Sequence, residues 1–295
     1  MKTFGRVLTA MITSFNNDGS LNIENSVAIA HHLLDNGSDG LVVCGTTGEN
    51  PTMSKEDKLA LFTAIAKECG HKGTIIANVG TNDTKSSVNF VKEVSNIDGI
   101  DGLLVVVPYY NKPNQQGQYL HFKAIAETSS LPIVLYNVPG RTGVNMKAET
   151  TVRIANDFPN IVAIKEAAGS LEQVDEIIKN KPKHFEVISG DDALTFPMIA
   201  SGAVGVISVI GNALPKEFSR MIRLEFNGEY DAARIIHHQF TELYKLLFVD
   251  GNPAGCKALL NDMGMIENVL RLPLVPTRIE TKQKMNDILK KMRLN

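Results

Sequence analysis

Eight short runs rich in Val, Ile and Leu recur at intervals of roughly 30 residues, each followed by a turn and then by a longer stretch with helical spacing. The runs are Val7 to Phe15, Gly40 to Cys44, Thr74 to Val79, Gly102 to Pro108, Ile133 to Val138, Ile161 to Lys165, Phe185 to Ser189 and Val204 to Val209. A strand that reads as continuously apolar is covered on both faces, and a parallel neighbour can be reached only through a crossover, usually a helix. The intervening stretches supply those crossovers at Ile23 to Asn36, Ser54 to Cys69, Thr84 to Ile97, Gln115 to Ser129, Lys147 to Asp157, Leu171 to Asn180, Asp192 to Ser201 and Pro215 to Phe226. Eight strand–helix units predict an α/β fold of the closed (β/α)8 TIM-barrel type. An open doubly wound sheet would also alternate. It would normally carry a glycine-rich dinucleotide fingerprint after its first strand, and Ser14-Phe15-Asn16-Asn17-Asp18-Gly19 is no such loop.

Beyond Phe226 the strand signal stops, and three helical stretches follow at Tyr230 to Phe248, Pro253 to Met263 and Pro276 to Leu294. The expected organisation is therefore a catalytic barrel over 1–225 and a small three-helix C-terminal domain over 226–295. A length of 295 residues fits one barrel of about 250 residues with an addition. Hydrophobic residues at 43% and charged residues at 21% allow a large core. A net charge of −2 without any long Lys/Arg block points away from nucleic acid and membrane surfaces and toward a small-molecule substrate. Met1 to Phe15 has none of the parts of a signal peptide, so the expected location is the cytoplasm. The three cysteines, Cys44, Cys69 and Cys256, are far apart and are expected to be reduced core thiols. Neighbouring histidines on a helix point in different directions, so His31-His32 and His237-His238 predict no metal site.

Barrel active sites lie at the C-terminal ends of the strands, and five of those ends carry polar groups. Lys165 closes the run Ile161-Val162-Ala163-Ile164-Lys165, and a lysine drawn out of water is the nucleophile that forms imines with ketones. Alone, such a lysine is more often paired or solvated. Gly45-Thr46-Thr47-Gly48-Glu49 sets two hydroxyls between glycines, whose backbone amides can approach a carboxylate, although a plain turn before a helix capped by Ser54 reads equally well. Pro108-Tyr109-Tyr110-Asn111-Lys112-Pro113 and Tyr136-Asn137-Val138-Pro139-Gly140-Arg141-Thr142-Gly143 bring tyrosines able to relay protons and a guanidinium fork suited to a second carboxylate. In Ser189-Gly190-Asp191-Asp192, one of the two aspartates is expected to be a helix N-cap rather than half of an acid–base dyad. A lysine, hydroxyls, tyrosines and an arginine on one rim together describe a keto-acid lyase.

Gly45 to Glu49, Tyr136 to Gly143 and Val162 to Ala167 resemble the dihydrodipicolinate synthase and N-acetylneuraminate lyase superfamily, over essentially the whole chain. Arg141 and the paired Thr46-Thr47 resemble its dihydrodipicolinate synthase branch. The resemblance implies condensation of pyruvate with L-aspartate 4-semialdehyde through a lysine Schiff base, on the route to diaminopimelate and lysine, with no cofactor. It implies that Lys165 forms the imine, that Thr47 and its backbone hold the pyruvate carboxylate, and that Tyr136 is the central acid–base group. It also implies a proton relay through Thr46, Tyr136 and Tyr110, with Tyr110 reaching into a neighbouring subunit, and hence a homotetramer built from dimers. Arg141 would bind the semialdehyde carboxylate, and Gly190 and Ile207 would line the pyruvate pocket.

One departure concerns regulation. Lysine-inhibited relatives often carry histidines and a glutamate where Lys55, Lys58 and Ser86 stand here, so weak or absent lysine inhibition is expected. The rival readings are a sialic acid or keto-deoxy sugar acid lyase, against which Arg141 argues, and a catalytically silent binding homologue, against which the full set of chemical groups argues.

Overall fold

The computed structural model describes residues 4–292. Strands β1 (Val7–Ala10), β2 (Gly40–Val43), β3 (Thr74–Asn78), β4 (Gly102–Val106), β5 (Ile133–Asn137), β6 (Ile161–Glu166), β7 (Glu186–Ser189) and β8 (Gly205–Ser208) pair in chain order, and β8 closes on β1 to form a barrel. Every pairing is parallel. Helices α1 (Ile23–Asp35), α2 (Lys55–Cys69), α3 (Thr84–Val94) and α4 (Gln115–Ala126) provide the first four crossovers. A short α5 (Pro139–Thr142) precedes α6 (Ala148–Asp157), and α7 (Leu171–Asn180), α8 (Thr195–Ala200) and α9 (Pro215–Phe226) complete the ring. Three helices follow: α10 (Tyr230–Val249), α11 (Ala254–Asp262) and α12 (Ile279–Lys291).

The sequence reads as apolar runs because side chains of both strand parities are buried. Leu8, Val42, Ile76, Leu104, Val134 and Ile207 form one cluster, and the alternate positions join a second cluster with the helices. Alternation along a barrel strand assigns the first set to the interior and the second to the layer under the helices. Helix starts are set by side chains that accept otherwise orphaned amides: Asn22, Ser54, Asp83, Asn114 and Ser170 cap α1, α2, α3, α4 and α7. The cap at Ser54 is the one expected from the sequence. All three cysteines are free and buried. Burial pushes the Cys44 thiol up to about 12, so it is held as an inert core group.

The structure departs from the sequence reading in four places. Only Val7–Ala10 of the first run pairs as strand. Beyond it Asn212 takes over the backbone, donating to the Ala10 carbonyl and accepting from Ile12 N–H, so Met11 to Phe15 is a buried loop. The stretch Pro139–Thr142, expected as loop, is a helical turn with Pro139 at its start, where a missing N–H costs nothing. Neither Asp191 nor Asp192 is an N-cap. Helix α8 begins later, after Leu194, because the Asp192 carboxylate is turned inward to accept the Val209 and Ile210 amides at 3.0 and 2.8 Å. The last helix starts at Ile279 rather than at Pro276. Residues 1–3 and 293–295, which include the start of the leader reading at Met1 and the expected helix end at Leu294, lie outside the described residues. Among the described residues no helix is long and apolar enough to cross a membrane.

Candidate active site

Strand β6 carries Ile164 outward into the helical layer and, by alternation, Lys165 inward. Lys165 is 5% exposed, stands in register with Tyr136 on β5 and Ile188 on β7, and holds its amine 4.4 Å from the centroid of the Tyr136 ring. The site therefore has one buried amine beside one buried phenol. Gly190, immediately past β7, makes room for the lysine stem. A Cβ there would lie 2.9 Å from Ala167 Cβ, 3.0 Å from Lys165 Cγ and 3.1 Å from Lys165 Cε.

Past β2, the segment Gly45 to Glu49 folds into a tight turn flanked by two non-glycine residues at positive φ, Cys44 at 54° and Glu49 at 57°. The amides of Gly48 and Asn50 bond to the Gly45 carbonyl, and that of Glu49 to the Thr46 carbonyl. The amides of Thr46 and Thr47 take no part in these bonds, which leaves two adjacent N–H groups at the turn's crest. Such a turn suits an anion. Thr13 Oγ1 donates to the Gly48 carbonyl at 2.7 Å, and Asn252 Nδ2 donates to Thr47 Oγ1 at 2.9 Å. With one lone pair engaged by Asn252, the Thr47 hydroxyl still has its proton to donate.

A cavity of about 300 Å³ lies over the barrel's C-terminal end, bordered by Thr46, Thr47, Tyr136, Arg141, Lys165 and Gly190. A second, of about 200 Å³, shares Thr46, Tyr136 and Arg141 with it and extends to Asn78 and Tyr109. Six of the eight sequence-predicted site residues thus border one space. Arg141, on α5, is exposed to solvent, and Tyr244, Lys245 and Phe248 of α10 also line the cavity.

Two of the predicted residues lie elsewhere. Ile207 is 1% exposed and borders neither cavity. It sits in register with Leu8 inside the barrel, and the residue of this segment that reaches the cavity is Val209, just past β8. Tyr110 also borders neither cavity. It is 88% exposed, at a φ of 73°, with its amide bonded to the Thr142 carbonyl.

The structure adds two buried carboxylates to which the sequence reading gave no role in the site. Glu166, next to the lysine, is buried and accepts from Ala168 N at 2.7 Å, Asn137 Nδ2 at 3.0 Å and Gln173 Nε2 at 3.1 Å. Burial pushes its carboxyl above the usual range, and these donors pull it back. Asp192 borders the cavity, and burial raises its carboxyl to about 6 against the opposing pull of the Ile210 and Val209 amides. The only sequence signal for Glu166 was its place directly after Lys165. Asn137 and Gln173 carried none, because they come together only when β5, β6 and α7 are packed.

A family model described as the dihydrodipicolinate synthetase family matches residues 3–292. The chain is 57% identical over 283 residues to the 4-hydroxy-tetrahydrodipicolinate synthase of Parabacteroides distasonis, covering 96% of this chain and 95% of the relative. It is 47% identical to the synthase of Bacillus subtilis, covering 92% and 94% of the two chains. Among solved structures, dihydrodipicolinate synthase from Thermotoga maritima superposes with a TM-score of 0.96 at 41% identity over 100% of both chains. A monomeric dihydrodipicolinate synthase variant superposes with the same score at 41% identity, covering 99% of this chain and 98% of the other. With a family model spanning almost its entire length and relatives far above the level at which fold and family are shared, this chain belongs to the dihydrodipicolinate synthetase family.

Proposed function

We propose that this family member is a 4-hydroxy-tetrahydrodipicolinate synthase, which condenses pyruvate with L-aspartate 4-semialdehyde through an imine on Lys165. The observation that carries the reading is the placement of a 5%-exposed lysine amine against a tyrosine ring, in a cavity also bordered by Thr46, Thr47 and Arg141. Names of relatives over nearly the whole chain agree with it.

The chemistry follows from the residue types. Pyruvate docks with its carboxylate on the Thr46 and Thr47 amides and the Thr47 hydroxyl, which brings its ketone carbon to Lys165. The amine adds, water leaves, and the protonated imine withdraws electrons from the methyl carbon. A weak base then removes a methyl proton to form the enamine, and Tyr136, with Thr46 as its relay partner, is the base in place. The enamine carbon attacks the semialdehyde carbonyl, forming the carbon–carbon bond while the aldehyde oxygen takes up a proton. Arg141 holds the semialdehyde's carboxylate during this step. The semialdehyde's own amine displaces Lys165 from the imine carbon, closing the ring and returning the free lysine.

Tyr110 enters this scheme through a second copy of the chain. It is 88% exposed in one protomer, and the family resemblance has it completing the relay in a neighbour, which makes a homodimer the minimal active unit and a tetramer of two such dimers the assembly. The reaction calls for a cytoplasmic enzyme fed by central metabolism.

Borohydride reduction in the presence of pyruvate tests the reading. A pyruvate-derived mass is expected on the peptide containing Lys165 and nowhere else, and the Lys165→Ala variant should take up none. Labelling at another lysine would overturn the mechanism.

A further inference from the structure

Glu49 follows the two threonines almost directly, at a φ of 57° that a side-chain-bearing residue adopts only when its surroundings enforce it. What enforces it comes from the far end of the chain. The Glu49 carboxylate lies 2.5 Å from the ammonium of Lys257 on α11, with both side chains 0% exposed. Glu49 Oε2 also accepts the amide of Arg271 at 3.0 Å. Lys257 donates in turn to the Val269 carbonyl at 2.8 Å and rests 4.4 Å from the Phe15 ring centroid. The Arg271 side chain bonds to the Gly19 and Thr52 carbonyls at 2.8 and 3.0 Å and to Asp57 at 2.6 Å. Asn252, just before α11, holds Thr47 Oγ1. Two tethers from one C-terminal segment thus grip both ends of the stretch Thr47-Gly48-Glu49.

A fully dehydrated ion pair is an expensive way to fill space, since two apolar side chains of the same volume often serve stability as well or better. What an ion pair adds is direction. Glu49 and Lys257 can meet in few geometries, and those geometries set where the Thr46 and Thr47 amides point. Removing water also keeps the contact strong and unscreened.

We propose that the buried Glu49–Lys257 pair positions the carboxylate-binding turn relative to Lys165, which makes the C-terminal helices part of the pyruvate site. This rests on the reading of that turn as the pyruvate-carboxylate anchor. Neither residue touches substrate, and both act through Thr46 and Thr47.

The test compares wild type, Lys257→Met, and the double variant Glu49→Gln/Lys257→Met, in which no lone charge is left buried. Borohydride trapping on Lys165 is measured against pyruvate concentration, and separately with hydroxyacetone, a ketone of similar size without a carboxylate. The double variant, folded by circular dichroism, should need roughly 10- to 100-fold more pyruvate for half-maximal trapping, the scale of a displaced reacting group. Hydroxyacetone trapping and the KM for the semialdehyde should stay at wild-type values. A wild-type pyruvate requirement in the folded double variant would overturn the proposal. So would a parallel loss with both ketones, which would place the defect at the lysine or in the fold. Absence of any Lys165 adduct in the wild type would instead overturn the reading of the reaction itself.

Discussion

Replacing Gly190 by alanine should slow imine chemistry without unfolding the protein. The added methyl would meet Ala167 Cβ at 2.9 Å, Lys165 Cγ at 3.0 Å and Lys165 Cε at 3.1 Å, whereas relaxed carbon–carbon contacts sit at about 3.5–4.0 Å. Ala167 Cβ is fixed to the backbone, so the lysine stem must give by roughly half an ångström or more. It has little room, being 5% exposed with its amine against the Tyr136 ring. If a misplacement of about 1 Å costs up to about 100-fold, half of that costs about tenfold in kcat/KM for pyruvate, or about 1.4 kcal/mol of transition-state stabilisation. Overpacking of this kind also destabilises the fold by about 1–3 kcal/mol, which leaves a cooperative thermal transition at a lower Tm. A coupled assay with pyruvate varied, run beside a melting curve, measures both effects. A folded Gly190→Ala variant within twofold of wild type in kcat/KM would show that the lysine stem is not confined as argued.

Further outcomes are expected. Arg141→Ala should raise the KM for the semialdehyde by tenfold or more, from loss of a charge-assisted bond worth about 1.5–3 kcal/mol, while leaving pyruvate trapping on Lys165 close to wild type; equal losses in both would contradict its role. Glu225 on α9 is 1% exposed, neither of its carboxylate oxygens has a hydrogen-bond partner among the described residues, and burial pushes its carboxyl up to about 8 from an unfolded value near 4.5. A raised folded-state value makes its contribution to stability full below the unfolded value and lost as pH rises through the folded one. The Tm advantage of Glu225→Gln over wild type should therefore grow between pH 5 and pH 9, and an offset independent of pH would refute the assignment. Lysine should inhibit weakly or not at all, because Lys55 is paired with Glu93 at 2.6 Å and Ser86 offers no charge to a ligand ammonium; potent inhibition in a coupled assay would count against this.

Much of this molecule was legible one residue at a time. The eight apolar runs are barrel strands because both of their faces are covered, a condition that writes itself into sequence as uninterrupted Val, Ile and Leu. Lys165, Tyr136, Thr46, Thr47 and Arg141 could be picked out because barrel topology sends every strand's C-terminal end to the same rim, so position along each repeat stood in for position in space, whereas Gly190 came only from the family resemblance. Neither the strand-end rule nor the family resemblance could see depth or local chain path. Ile207 and Val209 differ by two residues, and only the register with Leu8 shows that the first is buried inside the barrel while the second reaches the cavity. Asp192 looked like a cap, but its carboxylate accepts the amides just past the end of β8, and α8 begins only after Leu194.

The sequence by itself determined the barrel, the rim and most of the predicted side chains that border the cavity, because repeats and strand-end chemistry are local and periodic. Tertiary structure alone decided what holds those side chains in place. The contacts Asn252 to Thr47, Lys257 to Glu49 and Gln173 to Glu166 join residues separated by 205, 208 and 7 positions. Polar partners of this kind leave no periodic trace. Each is an unremarkable residue on its own element until folding strips it of water and brings it to partners from distant or separately folded elements.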